Sequence, residues 1–302
     1  MKTISGKIYN TNESIVSSIG AGRKQYIDEF LGYLSRVFKN TEYKVNNNES
    51  VDFTTDKIVY LTIKNIPLHI RTVTNLNIMG CTDKAFVLPI SAKTVIIEDC
   101  SNLEEIFVKD SCDIKELYIL NCSKLKNISA LSNANINRIK IYNCPITSIN
   151  SLSGVKDSIY IKNCTDLKSF DLKTKNVPNI KLERCKINDF ECPVNTKKLS
   201  LLNVTRSKNL NLNIEQAIDI LIQDLSKTKE IIITGNPVET MVINGIDLLE
   251  KLNIDNDCRQ SLSLCNLPEI EQYNIKDIKG MCVTENVKTI PQIKCKRMIN
   301  RK

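Results

Sequence analysis

The feature that most constrains the fold is a short phrase that the chain repeats at a nearly constant interval. It is clearest where IKELYILNCSKLKNI is followed by INRIKIYNCPITSI, with Cys122 and Cys144 at the same place in the two copies. If this place is taken as an anchor, the copies follow one another at about 20 residues, the interval of a solenoid repeat. The anchors are Ile66, Cys81, Cys100, Cys122, Cys144, Cys164, Cys185, Val204, Leu225, Ile246, Leu267 and Asn286.

The residues five and three positions before each anchor are apolar in every copy, and the residues between them are mixed. The pairs run from Leu61 and Ile63 in the first copy to Met281 and Val283 in the last. Such period-two alternation is typical of a strand with one buried face. We therefore expect Ile119, Ile141 and Ile161 to stack in the core on successive turns.

The residue just before the anchor is Asn, Asp or Gly in all copies except those with Arg184 and Glu285. These three residue types tolerate the left-handed backbone conformation in which a strand can end and turn. The pattern predicts a turn at this place in each repeat.

The phrase IKELYILNCSKL resembles the cysteine form of the leucine-rich repeat, LxxLxLxxCxxL, and the resemblance covers roughly residues 58–293. It implies an α/β-type solenoid with a parallel β-sheet on the concave face. Because the return segments have only about 15 residues, we expect short strands, extended pieces or single helical turns there. A right-handed parallel β-helix remains the alternative, although nine glycines are few for its tight corners.

We predict three regions along the chain. Residues 1–55 are a helical N-terminal cap and a linker, with a helix within 14–40 and a polar loop over 40–55. Residues 56–293 are the leucine-rich repeat solenoid. Residues 294–302 are a basic tail exposed to solvent.

Residues 214–225 have apolar side chains at helical spacing as well as in the repeat frame. ILIQDLSKTKEIII aligns position for position with VIIEDCSNLEEIFV at 95–108. We therefore predict a strand at 220–222.

Six of the twelve cysteines stand at anchors, where thiols can fill space and donate weakly to carbonyl groups. Side chains stacked in this way do not suit disulfide geometry, so we predict a ladder of reduced thiols. The remaining cysteines form no CxxC pair, and we expect no metal site. Without a signal-peptide run or an 18-residue apolar stretch, the expectation is an intracellular, cytoplasmic protein.

We find no catalytic motif. His69 is the single histidine, and there is no glycine-rich phosphate loop or HExxH helix. The sequence predicts a protein that is not an enzyme and that needs no cofactor.

The predicted partner-binding surface consists of outward-facing positions in the middle of the array, which are rich in tyrosine and basic residues. The net charge of +8 favours an acidic or mixed partner protein, and it is too low to favour nucleic acid. The expected function is a non-enzymatic scaffold that binds a partner protein through the concave face of the repeats. A ubiquitin-ligase substrate receptor and a β-helix carbohydrate-active enzyme are the alternatives. The predicted site residues are Tyr118, Leu120, Arg138, Lys140, Tyr142, Tyr160, Lys162 and Lys181.

Overall fold

The structure is a computed structural model, and it divides into two compact units. Unit 1 is Met1–Ile146 with Ser153–Val155, and unit 2 is Thr147–Leu152 with Lys156–Lys302. The described residues are 4–10, 38–46, 50–54, 58–61, 69–80, 84–108, 111–149, 152, 154–172, 177–187, 189–191, 196–204, 209–214, 218–289 and 293–301.

Unit 1 is built on one main sheet in the order β1-β2-β3-β5-β7-β9-β10, with β4 also paired to β5. The β1–β2 and β2–β3 pairs are antiparallel, and the later pairs are parallel. A second parallel sheet joins β6 and β8. The strands are β1 Ile4–Asn10, β2 Phe38–Asn46, β3 Ser50–Thr54, β4 Ile58–Leu61, β5 His69–Met79, β6 Ala85–Val87, β7 Ser91–Glu98, β8 Glu105–Phe107, β9 Cys112–Leu120 and β10 Ala134–Tyr142.

Unit 2 has a main parallel sheet in the order β11-β13-β15-β17-β19-β21-β23-β24 and a return sheet in the order β16-β18-β20-β22. Strands β12 and β14 form a further parallel pair. The strands are β11 Val155–Lys162, β12 Ser169–Asp171, β13 Asn179–Glu183, β14 Asp189–Glu191, β15 Lys198–Leu202, β16 Asn209–Ile214, β17 Asp219–Gln223, β18 Glu230–Gly235, β19 Val238–Asn244, β20 Lys251–Ile254, β21 Cys258–Leu267, β22 Gln272–Ile275, β23 Ile278–Val287 and β24 Cys295–Arg301.

Each unit is therefore a parallel β-solenoid, as the repeat predicted. Leu76 and Val95, which pair across the main sheet, are 19 residues apart in the sequence. The next pair, Val95 and Leu117, is 22 residues apart. The 3-10 helix at Ser129–Asn133 is the one helical element among the described residues. The solenoid is thus almost entirely β, and the expected short strands on the return side are confirmed.

The predicted apolar pairs form the core in the ten copies from Leu76 to Leu264. In unit 1, Ile119 and Ile141 have no exposed surface, and in unit 2 the same holds for Ile161. The predicted strand at 220–222 is confirmed within β17, where Ile220 and Ile222 are buried. Burial of the repeated pair outweighs the helical spacing of this segment.

The predicted frame is wrong in the first and last copies. Leu61 pairs with Ile78, so the first copy lies two residues earlier than predicted. In the last copy Cys282 and Thr284 are buried instead of Met281 and Val283. They continue the register of Leu262 and Leu264, which moves the last anchor to Val287.

The N-terminal prediction is tested only in part. Most of the predicted cap helix lies outside the described residues, but its last three residues, 38–40, belong to β2. The segment predicted as a polar loop contains the rest of β2 and all of β3, which pair with each other. The predicted tail contains β24, which extends the main sheet of unit 2 beside β23.

The residue before the anchor has a positive φ along the array, as the sequence predicted. In unit 1, φ is 53° at Asp99, 54° at Asn121 and 54° at Asn143. Asn121 Nδ2 donates to Asp99 Oδ1 at 3.0 Å, and Asn143 Nδ2 donates to Asn121 Oδ1 at 2.6 Å. The side chains of successive turns thereby form a hydrogen-bonded ladder. In unit 2, Arg184 adopts the same conformation with φ 51°.

The anchor cysteines are buried thiols that donate to carbonyl oxygens of the main sheet. Cys144 Sγ lies 3.2 Å from the carbonyl oxygen of Tyr142 and 3.9 Å from that of Ile119. Burial raises the pKa of the Cys185 thiol to about 11, so it is protonated at neutral pH. These contacts agree with the predicted thiol ladder; Cys81 lies outside the described residues.

Candidate functional site

All eight predicted site residues point outward from a main sheet. Inward and outward side chains alternate along β9 and β10. Of the outward ones, Arg138 is exposed, and the half-buried ones are Tyr118, Leu120, Lys140 and Tyr142. These five residues belong to unit 1. The other three, Tyr160 and Lys162 on β11 and Lys181 on β13, belong to unit 2. The structure thus divides the predicted site into two groups.

In unit 1 the parallel register brings an acidic, an aromatic and two basic side chains together. Arg138 lies opposite Glu116, and Lys140 lies opposite Tyr118. Tyr118 donates its hydroxyl hydrogen to Glu116 Oε2 at 3.0 Å, and Arg138 forms an ion pair with Glu116 Oε1 at 3.3 Å. Lys140 Nζ lies 5.0 Å from the centroid of the Tyr118 ring, within cation–π range.

The Tyr118 ring is therefore held on both sides before any partner arrives. Burial raises the pKa of the Tyr118 hydroxyl, and its hydrogen bond to Glu116 raises it further. The hydroxyl stays protonated and donates to the carboxylate at neutral pH. Tyr142 and Leu120 lie side by side on the neighbouring positions and add an apolar contact surface.

In unit 2 three side chains converge on Glu183. Tyr160 donates to Glu183 Oε2 at 2.5 Å, and Lys162 Nζ lies 2.7 Å from Oε1. Lys181 Nζ lies 3.2 Å from Oε2 and 4.6 Å from the centroid of the Tyr160 ring. The Glu183 side chain is 15% exposed, whereas those of Lys162 and Lys181 are 31% and 40% exposed.

The donors around Glu183 stabilise its ionised form. The hydrogen bond from Lys162 contributes most, followed by that from Tyr160, and together with Lys181 they lower the pKa of the carboxyl from 4.5 to about 2. Glu183 is therefore ionised at neutral pH and cannot serve there as a proton donor. Its role in this group is to position Tyr160 and the two lysines.

Glu116 and Glu183 are not among the predicted site residues. Glu183 occupies one of the outward positions, but only the cross-strand register shows that it faces Lys162. Glu116 lies two residues before Tyr118 on the same face of β9, and this spacing was the available signal. Each carboxylate neutralises part of the basic character that the sequence suggested.

In the part of the chain that the structure describes, no group of three or more His, Cys, Asp or Glu side chains is placed to hold a metal ion. In the same residues, no helical segment has the length and hydropathy of a membrane span.

Comparison with models of known protein families gives no match, and comparison with curated proteins gives none either.

Proposed function

We propose that this protein is a non-enzymatic scaffold that binds a partner protein through the outward face of its main parallel sheets. The observation that carries this proposal is the pre-positioned tyrosine in each unit, Tyr118 in unit 1 and Tyr160 in unit 2. Each ring is fixed by a carboxylate and a lysine. A rigid aromatic side chain loses little conformational entropy on binding and provides a large contact area.

The charges around the tyrosines favour a partner surface with acidic or mixed character. In unit 1 Arg138 is 57% exposed although it pairs with Glu116, so it remains accessible to a second carboxylate. In unit 2 two lysines share the single charge of Glu183, which leaves that group with a positive balance. The exposed Arg138–Glu116 ion pair contributes little to folding, so the Arg138 side chain can be recruited by a partner.

We further propose that the repeats are of the leucine-rich type. The scarcity of glycine at the turns supports this assignment over a β-helix with tight glycine corners. Among the described residues, the positive-φ glycines are Gly80, Gly235 and Gly245. The buried reduced thiols are consistent with the proposed intracellular, cytoplasmic location, where disulfides are rare.

The proposal is tested by capturing partners from native-cell lysate with the tagged chain. One bait variant carries Tyr118→Ala with Tyr142→Ala in unit 1, and another carries Tyr160→Ala in unit 2. We expect at least one of them to lose the captured partner without losing its fold. The matched control is Phe107→Ala, which removes a 44%-exposed ring from the second sheet of unit 1. Retention by both tyrosine variants would contradict the proposal.

A further inference from the structure

The outward face of the main sheet in unit 2 carries a continuous row of apolar and small side chains, one on each strand from β15 to β24. Neighbours in the row are opposite each other in the register of the sheet. All of them are half-buried, as expected for side chains that stand on a sheet with open space above them. The row, called here the apolar stripe, consists of Ser200, Leu221, Val242, Ser263, Val283 and Ile299.

The length of the apolar stripe suits a helix. Five strand-to-strand steps at about 4.8 Å give roughly 24 Å from Ser200 to Ile299. At about 1.5 Å per residue, a helix of roughly 16 residues covers this distance. An amphipathic helix of that length presents apolar side chains at positions i, i+3, i+4 and i+7 along one side. The stripe and the apolar side of such a helix therefore match in extent.

The outward side chains are smallest where the stripe crosses β21, and we infer a shallow trough there. The outward side chains of this strand are Ser261, Ser263 and Cys265, all of them small. Larger side chains stand beside Ser263 on both neighbouring strands, Val242 on β19 and Val283 on β23. The trough can accept one bulky apolar side chain from above. This is the way in which an anchor residue of a bound helix is usually held.

Basic side chains flank the apolar stripe at both ends. Lys181 pairs with Ser200 in the register, and Lys198 lies on the same strand as Ser200. At the other end Arg297 and Arg301 stand on either side of Ile299 on β24. Glu285, two residues after Val283 on β23, forms an ion pair with Arg301 at 3.8 Å. The Lys198 and Arg301 side chains are 63% and 64% exposed although each forms an ion pair, so they remain accessible.

The side chains beside the middle of the stripe carry little free charge. Thr240, Gln223 and Asn244 are neutral, and Asp219 is held by Lys198 at 3.4 Å and by the Thr240 hydroxyl at 2.6 Å. The stripe is thus apolar along its middle, and the bases outnumber the carboxylates by one at each end. Lys162, Lys181 and Lys198 stand against Glu183 and Asp219 at one end, and Arg297 and Arg301 stand against Glu285 at the other. A ligand with the opposite arrangement is apolar along one side and acidic near both ends.

We propose that the apolar stripe of unit 2 binds an amphipathic helix of the partner protein, with acidic residues near both helix ends and a bulky apolar residue above Ser263. The proposal rests on the scaffold function proposed above and adds the structural class of the partner. It specifies which positions of unit 2 carry the contact.

The test uses the full chain and three fluorescent peptides of about 18 residues with the same apolar positions. One has Glu at both ends, the second has Lys at both ends, and the third has Glu at both ends and a central Pro that breaks the helix. We expect the first peptide to bind in a fluorescence anisotropy titration and the other two to bind at least tenfold more weakly. Equal binding by the Lys-ended or the Pro-broken peptide overturns the proposal, as does binding by none.

Two variants locate the contact. Leu221→Lys and Val242→Lys place a charge on the stripe and should each weaken binding of the Glu-ended peptide at least tenfold. Ile232→Lys is the matched control, because Ile232 is a half-buried aliphatic residue on the outward side of the return sheet. It should bind the peptide like the unchanged chain. Circular dichroism and urea unfolding show whether each variant is folded, and unchanged binding by both folded stripe variants overturns the proposal.

A chemical footprint gives a readout that does not depend on substitutions. Cys265 is half-exposed in the trough, and bound Glu-ended peptide should slow its alkylation by iodoacetamide. Cys295, also half-exposed, is the internal reference and should react at an unchanged rate. Protection of neither residue, or of both equally, overturns the proposed position of the helix.

Two further results separate this inference from the scaffold function. If Tyr160→Ala loses the captured partner while the Glu-ended peptide fails to bind, the scaffold function stands and the helix proposal falls. If sedimentation shows a dimer that Leu221→Lys converts to a monomer, a second copy of the chain occupies the stripe, and the helix proposal also falls.

Discussion

Tyr160 donates a hydrogen bond of 2.5 Å to Glu183, a residue of the adjacent strand on the next turn of the solenoid. The same carboxylate accepts from Lys162 and Lys181, so one acidic side chain positions one ring and two cations. This arrangement links the fold to the proposed binding surface, because the register of β11 and β13 decides which side chains meet.

Glu183→Gln is expected to destabilise the chain at neutral pH by on the order of 1 kcal/mol, since it removes a charged acceptor from a largely buried position. The pKa of Glu183 is lowered to about 2 in the folded chain, from an ordinary value of 4.5. The ionised carboxylate therefore stabilises the fold above pH 4.5, and this contribution is lost as the pH falls towards 2.

The measurement is urea unfolding of the unchanged chain and Glu183→Gln between pH 2 and pH 6. Their difference in unfolding free energy should be full above pH 4.5 and should shrink as the pH is lowered. A difference that does not depend on pH would show that Glu183 stabilises the fold by packing alone. Glu271, an exposed residue directly before β22, is the control position, and Glu271→Gln should change stability little.

Ile141→Ala is expected to lower the free energy of unfolding by about 2–5 kcal/mol, because Ile141 has no exposed surface and pairs with the buried Ile119 in unit 1. Leu120→Ala removes a similar side chain from the outward side of the neighbouring strand and should cost less than about 1 kcal/mol. Chemical denaturation followed by circular dichroism compares the two. Equal losses would mean that the two faces of the main sheet are not distinguished as the structure places them.

Arg184→Asn is expected to stabilise the chain by roughly 0.5–1 kcal/mol. Arg184 has φ 51°, a conformation that Asn adopts at lower cost than Arg. The equivalent residues on the neighbouring turns, Asn163 and Asn203, have φ values of 53° and 50°. A higher midpoint of urea unfolding confirms the prediction. The control is Asn121→Ala, which removes an asparagine from the same turn position in unit 1 and should lower the midpoint. No gain for Arg184→Asn would show that its side-chain contacts outweigh the backbone cost.

Native alkylation should distinguish the buried thiols from the outward ones. Burial raises the pKa of Cys185 and of Cys258 to about 11, so almost no thiolate is present at pH 8. Iodoacetamide should therefore modify the half-exposed Cys265 first, and Cys185 only after urea is added. Peptide mass spectrometry measures the two rates. Rapid modification of Cys185 in the folded chain would contradict its buried position.

The sequence predicts the core well because two independent signals agree there. The apolar pair specifies which side of the strand is buried, and the Asn, Asp or Gly before the anchor specifies where the strand ends. In the last copy the residue before the predicted anchor is Glu285, so the turn signal is absent there and only the apolar pair fixes the frame. In the last copy Met281 and Val283 are as apolar as Cys282, so alternation alone allowed a slip of one residue. Asn286, with φ 49°, marks the turn that corrects it.

The candidate site was less predictable than the core. Outward positions follow directly from the frame, and all eight predicted residues are found outward. The repeat pattern does not predict which carboxylate pairs with which basic side chain, because this pairing depends on the cross-strand register. Glu116 meets Arg138 only because the two strands pair with a 22-residue offset. The repeat interval varies from turn to turn, so this pairing is known only from the structure.

Thr228→Val is expected to raise the free energy of unfolding by about 1 kcal/mol. Thr228 has no exposed surface, and its hydroxyl oxygen has no hydrogen-bond partner among the described residues. It lies three residues after the anchor Leu225, where other repeats place a buried leucine such as Leu125 or Leu249. Valine keeps the shape of threonine and removes the uncompensated hydroxyl group, which is costly to bury. Urea unfolding of the variant checks the gain. A loss of stability would show that a buried water satisfies the hydroxyl group. In that case Thr228→Ser, which keeps the hydroxyl group, should be closer in unfolding free energy to the unchanged chain than Thr228→Val.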